Sequence, residues 1–259
     1  NGSEVVLLEN NSTNIKNTPE DIAKLATIIK CDVTNDKEVR AAISKVVNTY
    51  GGVDIMVSNA GAAWQGEIGK VNSKILKESF DLNFYAHQYL SQSCVETMLK
   101  QNTGGVLLFN ITKQAINPGN NFGPYGIPKA STLFLMRQYT LEYGKFGIRS
   151  NGVNADRIRS GLMTDKMIKA RAKARSVTTT DYMKGNLLLD EVKAEDVAKA
   201  FLFFFKFPVN SIPSTIIVPS WCSSNLLMHL IKVDFPEPDG PQTTIFSLAL
   251  TSRLISLST

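Results

Sequence analysis

The sequence predicts an α/β fold in which a doubly wound parallel sheet is covered by helices on both faces. Short runs rich in Val, Ile and Leu recur along the chain, and stretches with helical periodicity separate them. Strands that are apolar throughout are typical of parallel sheets, because neither face of such a sheet meets water. The 259 residues, of which 43% are hydrophobic, suffice for one sizeable core.

The predicted strands are short apolar runs enriched in β-branched residues. They cover residues 4–8, 26–33, 52–61, 104–112 and 148–154, and residues 213–221 are a further candidate. The third of them ends in a glycine turn, and the fourth begins with two glycines.

The predicted helices are longer stretches in which apolar residues recur three or four positions apart. They cover residues 34–51, about 74–99, 124–147, about 162–183 and about 194–204. Thr34 or Asn35 is expected to cap the first helix, and Gly147 is expected to close the third.

The bulk composition argues against several classes of partner. The net charge is +5, but the only dense basic cluster is residues 166–175. We interpret this cluster as a solvated helix face, with contact to a phosphate or an acidic ligand as the alternative. A nucleic-acid binder usually gathers its charge into one stripe, so we expect no nucleic-acid partner.

Cysteine spacing and hydropathy favour a cytoplasmic protein. Cys31, Cys94 and Cys222 are odd in number and widely spaced, which is unlike a disulfide framework or a metal site. No secretory signal is recognisable, and no apolar run is long enough to span a bilayer. We therefore expect a reducing compartment, no membrane partner and no metal. Neither His87 nor His229 has a partner pattern that would assign it a role.

Small and polar residues follow several predicted strands. In parallel α/β sheets ligands bind beyond the carboxyl ends of the strands, so these residues are expected near one cleft. They are Glu9, Asp32, Val33, Asn59, Ala60, Gly61 and Thr112. A carboxylate at Glu9 is suited to accept hydrogen bonds from the two hydroxyls of an adenosine ribose, and it repels a 2′-phosphate. The small residues around Gly61 let the backbone approach a flat ligand.

Tyr125 and Lys129 are spaced by one helical turn and are expected on the same helix face. A phenol has a pKa of about 10, which is too high for a general base at neutral pH. A nearby ammonium lowers that pKa because it favours the phenolate. Such a tyrosine can exchange a proton with a substrate hydroxyl or carbonyl. Pro128 between them places Tyr125 near the helix N-terminus, where the helix dipole acts in the same direction.

Taken together, these motifs resemble those of the short-chain dehydrogenase/reductase family. That family carries a strand-end Asp-Val, an Asn-Asn-Ala-Gly turn, an Asn on the next long helix, a Ser and Tyr-x-x-x-Lys. The chain presents, in the same order, Asp32-Val33, Ser58-Asn59-Ala60-Gly61, Asn83, Thr112, and Tyr125 with Lys129. The resemblance covers roughly residues 2–205 and implies a Rossmann-like domain over residues 1–220.

The resemblance implies catalytic roles for four residues. Tyr125 would be the acid/base, and Lys129 would lower the pKa of Tyr125 and hold the nicotinamide ribose. Thr112 would polarise the substrate oxygen, and Asn83 would support a water-linked proton path. Structural interpretations remain open: Thr112 as a strand-end cap, Asn83 as an ordinary polar helix residue, and Asp32 as a helix cap.

The resemblance also implies a cofactor site for NAD, which Glu9 favours over NADP. The residues implied are Glu9, Asp32, Val33, Asn59, Ala60, Gly61, Tyr125, Lys129, Ile158 and Ser160. Asp32 and Val33 would contact the adenine. The backbone of Ile158 would meet the nicotinamide carboxamide, and Ser160 falls on a nearby hydroxyl position.

A narrower likeness involves residues 110–131 and 154–188, with the segments Arg-Ile-Arg-Ser-Gly and Asp-Tyr-Met-Lys-Gly-Asn-Leu-Leu. These are similar to the dehydrogenase part of bifunctional rhamnulose-phosphate aldolase/short-chain dehydrogenase proteins. The likeness implies a small aldehyde or hydroxy substrate such as lactaldehyde, in deoxysugar catabolism. It also implies a homo-oligomer that is fused to, or works with, an aldolase domain.

The chain departs from the family pattern at both ends. No Gly-x-x-x-Gly-x-Gly turn is present, so the pyrophosphate lacks its usual cradle. The chain is interpreted as a fragment that begins at the second family strand and leaves a vacancy in mid-sheet. Residues 221–259 are interpreted as an irregular, non-native tail, with a genuine hairpin or partner-binding segment as the alternative.

Three functions are therefore open. The first is an NAD-dependent oxidoreductase that interconverts an alcohol and a carbonyl. The second is a catalytically impaired domain that only binds or assembles, because the phosphate cradle is missing. The third is an epimerase or dehydratase of nucleotide sugars, from the extended branch that also uses Tyr-x-x-x-Lys. The turn at Ser58–Gly61 and the short C-terminal part argue against the third.

Overall fold

The computed structural model describes residues 3–154, 157–160, 163–206 and 242–247, and within these ranges it is an α/β fold. The strands are β1 (Ser3–Glu9), β2 (Ala26–Lys30), β3 (Ile55–Ser58), β4 (Gly105–Asn110), β5 (Ile148–Val153) and β6 (Gln242–Ser247). The helices are α1 (Ser12–Lys16), α2 (Glu20–Ala23), α3 (Asp36–Tyr50), α4 (Ser73–Phe80), α5 (Ala86–Gln101), α6 (Gly123–Tyr143), α7 (Asp165–Lys173), α8 (Thr179–Met183) and α9 (Ala194–Lys206).

The described strands form one parallel sheet in the order β2-β1-β6-β3-β4-β5. All strands therefore end at the same edge, which is where a ligand is expected in such a sheet. Helix α3, whose predicted cap at Asn35 is confirmed, follows β2, and α6 connects β4 to β5.

Both faces of the sheet are buried, which confirms the prediction from the apolar strands. Along β1, Val6 and Leu8 pack into the core beneath α3, α5 and α6. Val5 and Leu7 pack into a second core on the other face, together with residues of α9 such as Phe201. A strand whose successive side chains are all buried is what a sheet between two helical layers requires.

Two of the predicted helices are interrupted. The stretch predicted at about 74–99 consists of α4, one π-helical turn (Asp81–Tyr85) and α5. The stretch predicted at about 162–183 consists of α7 and α8, which are separated by a turn with Ser176 at φ +55°. Helical periodicity continues through both interruptions, so the pattern alone does not reveal them.

The prediction that the middle of the sheet lacks a strand is wrong. Strand β6 lies between β1 and β3 and pairs in parallel with both, from Ser3↔Gln242 to Ser58↔Ser247. The backbone groups of both neighbours are thereby satisfied, as buried backbone requires. Strand β6 lies within residues 221–259, the segment that the sequence analysis interpreted as a tail. The strand candidate at 213–221, Cys222 and His229 lie outside the described residues.

Candidate active site

One cleft lies at the carboxyl edge, beyond the ends of β3, β4 and β5, with a volume of about 200 Å³. It gathers seven of the residues that the sequence predicts for the site. They are Asn59, Gly61, Thr112, Tyr125, Lys129, Ile158 and Ser160. Four different stretches of chain contribute these residues, so the parallel topology brings them together as expected.

The other predicted residues do not line this cleft. Glu9 and Asp32 follow the adjacent strands β1 and β2, and their side chains hold local turns. Glu9 Oε1 accepts from Asn11 N at 2.8 Å, and Asp32 Oδ1 accepts from the backbone N and the hydroxyl of Thr34. Val33 is a buried core residue.

Tyr125 is the third residue of α6, and its backbone N–H donates to Phe122 O at the helix start. Pro128 is the sixth residue, beyond the helix start at which the sequence argument expected a proline to be tolerated. A proline there removes the N–H that would bond to Pro124 O. The Ser79 hydroxyl of α4 replaces it, donating to Pro124 O at 2.6 Å in a buried environment.

Asn83 lies in the π-helical turn and is fully buried. Its amide bonds to both the N–H and the carbonyl of Ala62 and donates to Ser79 Oγ at 3.0 Å. Its backbone carbonyl accepts from Thr132 Oγ1 of α6 at 2.6 Å. Asn83 therefore joins the loop after β3 to the helix that carries Tyr125. Such π-turns occur frequently at functional sites.

Lys129 is only 3% exposed, and its ammonium is held by a ring of acceptors. The Nζ atom donates to Asn110 O at 2.9 Å and lies 3.5 Å from Ala60 O. It also lies 3.1 Å from His87 Nε2. A Cβ on Gly61 would come within 3.4 Å of Nζ and 3.0 Å of the Asn83 amide oxygen, so glycine is the residue that fits there.

His87 on α5 is a residue that the sequence argument missed. Its Nδ1 lies 2.6 Å from Ser58 Oγ, at the end of β3. An ammonium only donates hydrogen bonds, so Nε2 accepts from Lys129 and Nδ1–H donates to Ser58. Burial, and secondarily the charge of Lys129, hold the pKa of His87 well below its usual 6.5, so the ring is neutral.

A signal for His87 was present in the sequence. Ser58 stands where the family motif has its first Asn, and His87 follows Asn83 by one helical turn. A shorter side chain at Ser58 leaves space beside a strand end, and the imidazole of His87 fills that space. The relation between Ser58 and His87 becomes evident only once β3 and α5 are known to pack together.

Thr112 lies on the sheet side of the cleft, where the chain leads from β4 into a 3₁₀ turn. Thr112 is 5% exposed, and its hydroxyl accepts from Gln114 N at 3.4 Å, so it caps the turn. Asn110 Nδ2 donates to Asn59 Oδ1 at 2.6 Å across the two strand ends. Tyr125, Thr112 and Lys129 thus surround one concave space.

The nicotinamide-ribose end of a dinucleotide fits this edge. Asn110 Oδ1, and both amide atoms of Asn154 at the end of β5, are buried and lack a hydrogen-bond partner within the described residues. Ribose hydroxyls and a carboxamide are groups that such atoms would bind. For the pyrophosphate, the sequence offers no glycine-rich turn. Within the described ranges no cluster of acidic, His or Cys residues could hold a metal ion.

The fold is a parallel α/β domain whose cleft at the carboxyl edge is lined by a tyrosine-lysine pair. A family model described as "Enoyl-(Acyl carrier protein) reductase" matches residues 1–216. The chain therefore belongs to the short-chain dehydrogenase/reductase family. Members of this family are oxidoreductases that act on alcohols or carbonyls with nicotinamide cofactors.

Individual relatives agree with this assignment. The uncharacterized oxidoreductase YuxG of Bacillus subtilis (strain 168) is 30% identical over 185 residues, which is 69% of this chain but only 27% of that protein. The L-rhamnose 1-dehydrogenase (NAD(P)(+)) of Sphingomonas sp. (strain SKA58) is 26% identical, covering 71% of this chain and 70% of the relative. A short-chain type dehydrogenase/reductase from Mycobacterium marinum superimposes with a TM-score of 0.73 at 22% identity, covering 83% and 84% of the two chains.

Two further findings concern the rest of the chain. Within the described ranges, no helix combines the length and apolar character needed to cross a membrane. Cys31 and Cys94 are buried free thiols, and burial raises the pKa of Cys31 to about 12. Since a thiolate is the reactive form of cysteine, Cys31 is an inert packing residue.

Proposed function

We propose that this cleft interconverts a small alcohol and its carbonyl, with Tyr125 as the acid/base. The observation that carries the proposal is the convergence of Tyr125, Thr112 and the buried Lys129 on one cleft at the carboxyl edge. A bound nicotinamide would supply the hydride acceptor for the alcohol carbon, or the hydride donor for the carbonyl carbon, and Lys129 would hold its ribose.

The protein's own residues manage the proton and the geometry. The Tyr125 phenolate removes the hydroxyl proton during oxidation, and the phenol returns it during reduction. The Lys129 ammonium stabilises the phenolate by its charge and lies where the nicotinamide ribose is expected. The Thr112 hydroxyl donates to the substrate oxygen and fixes the position of the reacting carbon.

For the cofactor we propose NAD. Glu9 at the end of β1 is 3% exposed, and it would accept hydrogen bonds from the adenosine ribose and repel a 2′-phosphate. Asp32 and Val33 would lie by the adenine. Asn59, Ala60 and Gly61, together with Ile158 and Ser160, would border the nicotinamide half.

For the substrate we propose a small hydroxy compound or aldehyde, of which lactaldehyde is one example. The likeness to aldolase-linked dehydrogenases and the relative that acts on L-rhamnose support this choice. Oxidation of an aldehyde proceeds through its hydrate, which loses a hydride from carbon and a proton from oxygen. The match to a protein of which this chain spans 27% supports occurrence within a longer chain. That the longer chain includes an aldolase domain is proposed from the sequence likeness alone.

A second candidate function is a domain that binds or assembles without turnover. Calorimetry with NAD and NADH, followed by an absorbance assay with lactaldehyde, separates the two. Saturable cofactor binding and NADH formation support the oxidoreductase. No binding at millimolar NAD supports the non-catalytic domain and contradicts the proposal.

A further inference from the structure

The cleft beside Tyr125 is strongly cationic. Its lining includes Lys113, Lys129, Arg157, Arg171 and Arg175, and no acidic residue lies among the lining residues. The two lysines are on the sheet side of the cleft, where the nicotinamide half of the cofactor is proposed to lie. The three arginines come from the opposite wall, which α7, α8 and the segment after β5 build.

The wall that α7, α8 and the segment after β5 build, called here the arginine wall, has a small hydrophobic core of its own. Ile168 and Ala172 of α7 pack against Tyr182 and Met183 of α8, separately from the two cores that flank the sheet. This unit carries the arginines on its cleft side. The outer side of α7 carries Lys169 and Lys173, which are exposed and do not line the cleft.

Arg171 is fixed next to the reacting tyrosine. Its guanidinium carbon lies 5.2 Å from the centre of the Phe122 ring, and Phe122 is the residue whose carbonyl binds Tyr125 N. The Nη2 atom of Arg171 is buried and has no hydrogen-bond partner within the described residues. A buried guanidinium N–H without an acceptor is unfavourable, so this site is suited to an anionic ligand.

Arg175 is held in a similar way. Its guanidinium carbon lies 5.2 Å from the Tyr182 ring centre, and Nη1 donates to Arg171 O at 3.3 Å. Arg157 lies 5.3 Å from the same ring and donates to the carbonyls of Tyr182 and Gly185. Aromatic rings and backbone carbonyls orient the guanidinium groups of Arg175 and Arg157.

Arg159 provides the contrast within the same wall. It forms ion pairs with Glu191 at 2.6 Å and Asp165 at 2.8 Å, so its charge is compensated. Within the described residues, Arg171 and Arg175 form no such pair. The protein thus neutralises the arginine that lies outside the cleft lining and leaves two charges in the cleft uncompensated.

We propose that the substrate carries an anionic group, a phosphate or a carboxylate, that Arg171 and Arg175 bind while Tyr125 acts on the alcohol or carbonyl. This inference rests on the proposed function and narrows its substrate class. A guanidinium fork matches both anions in a bidentate geometry. Neutral lactaldehyde would leave Arg171 Nη2 unbound, so it is expected to be a poorer substrate than an anionic analogue.

The first test uses inorganic phosphate without cofactor. Phosphate is expected to bind the full chain saturably by calorimetry at constant ionic strength. Arg171→Gln and Arg175→Gln should each weaken binding at least tenfold, and Lys169→Gln should leave it unchanged. Equal phosphate affinity of the unchanged protein and the three variants would contradict the proposed anion site. Thermal melts establish that the variants are folded, and two independent arginine variants guard against one of them failing.

The second test separates a substrate anion from a cofactor phosphate. Phosphate is expected to inhibit turnover competitively with glyceraldehyde 3-phosphate and not with the cofactor. Competition with the cofactor alone assigns the arginines to the cofactor and overturns the proposal. Turnover of glyceraldehyde but not of its phosphate also overturns it.

The test remains decisive if the chain shows no turnover, which would contradict the proposed function. Calorimetry then compares glyceraldehyde 3-phosphate with glyceraldehyde. Tighter binding of the phosphate ester, lost in Arg171→Gln and kept in Lys169→Gln, supports the anion site. Equal binding of both compounds overturns it.

Discussion

The two halves of the sheet edge are built in different ways. In the catalytic half, at the ends of β3, β4 and β5, buried polar side chains bond across long sequence distances, as in Ser58–His87–Lys129. In the half proposed for the dinucleotide, at the ends of β2 and β1, the hydrogen bonds of the Glu9 and Asp32 side chains include short-range ones to Asn11 and Thr34. The catalytic half is preorganised by long-range side-chain hydrogen bonds, whereas the side chains proposed for the dinucleotide half hold local turns.

The largest effect is expected from Tyr125→Phe, which removes the proton carrier from the catalytic half. Turnover should fall by about 10²–10⁴-fold, the usual contribution of a positioned acid/base. Cofactor affinity measured by calorimetry should change little, because the dinucleotide half is untouched. Retained turnover would show that another group moves the proton. The exposed Tyr85→Phe is the matched control.

The next effect is expected from His87, which we regard as a positioning residue for Lys129. His87→Leu removes the acceptor at Nε2, and loss of a hydrogen bond to a charged group costs about 1.5–3 kcal/mol. Turnover should fall about 10–100-fold, with a shift in the pH dependence of kcat. His87→Gln, which restores an acceptor, should recover part of the activity. A purely structural role would lower stability without moving the pH profile.

Ser79→Ala tests the link between α4 and the start of α6. It leaves the buried carbonyl of Pro124 without a donor, which should lower the free energy of unfolding by about 1–3 kcal/mol. Urea denaturation measures the change. Ser131→Ala on the exposed side of α6, where the hydroxyl donates to Ile127 O, should have almost no effect. Equal effects of both variants would contradict the assigned role.

The neutral, buried His87 predicts a pH dependence of stability. Its pKa is depressed in the folded state, so below pH 6.5 the unfolded chain binds a proton that the folded chain does not. The contribution of His87 to the free energy of unfolding should be constant above this pH. Below it, the free energy of unfolding should fall by up to about 1.4 kcal/mol per pH unit. The facing groups are Ser58, Lys129 and the Ala60 carbonyl. Urea titrations of His87→Gln should lack this component, whereas His229→Gln should keep it.

The smallest effect is expected in the dinucleotide half. Glu9→Gln keeps an acceptor for Asn11 N but removes the charge. The ratio of NADP to NAD affinity should rise about fivefold, since like charges 4 Å apart in water repel by about 1 kcal/mol. Glu20→Gln on the exposed face of α2 is the control. An unchanged ratio would place the adenosine ribose elsewhere.

Local patterns predicted the layers of the fold and the common edge. Apolar runs identified β1 to β5, and the spacing of Tyr125 and Lys129 pointed to the cleft in which the structure places them. The pairs His87–Lys129 and Ser79–Pro124 could not be predicted, because each joins segments whose approach depends on packing. Strand β6 was missed for the same reason: no local pattern says which strand pairs with which.

Strand β6 has a consequence for how the protein is made. Ser3 pairs with Gln242, so the middle of the sheet joins segments from opposite ends of the chain. Contacts this distant in sequence give a high contact order, and folding is correspondingly slow. During synthesis the sheet stays split into β1–β2 and β3–β5 until β6 leaves the ribosome. The exposed edges of β1 and β3 are, until then, the part of the nascent chain most open to aggregation and to chaperones.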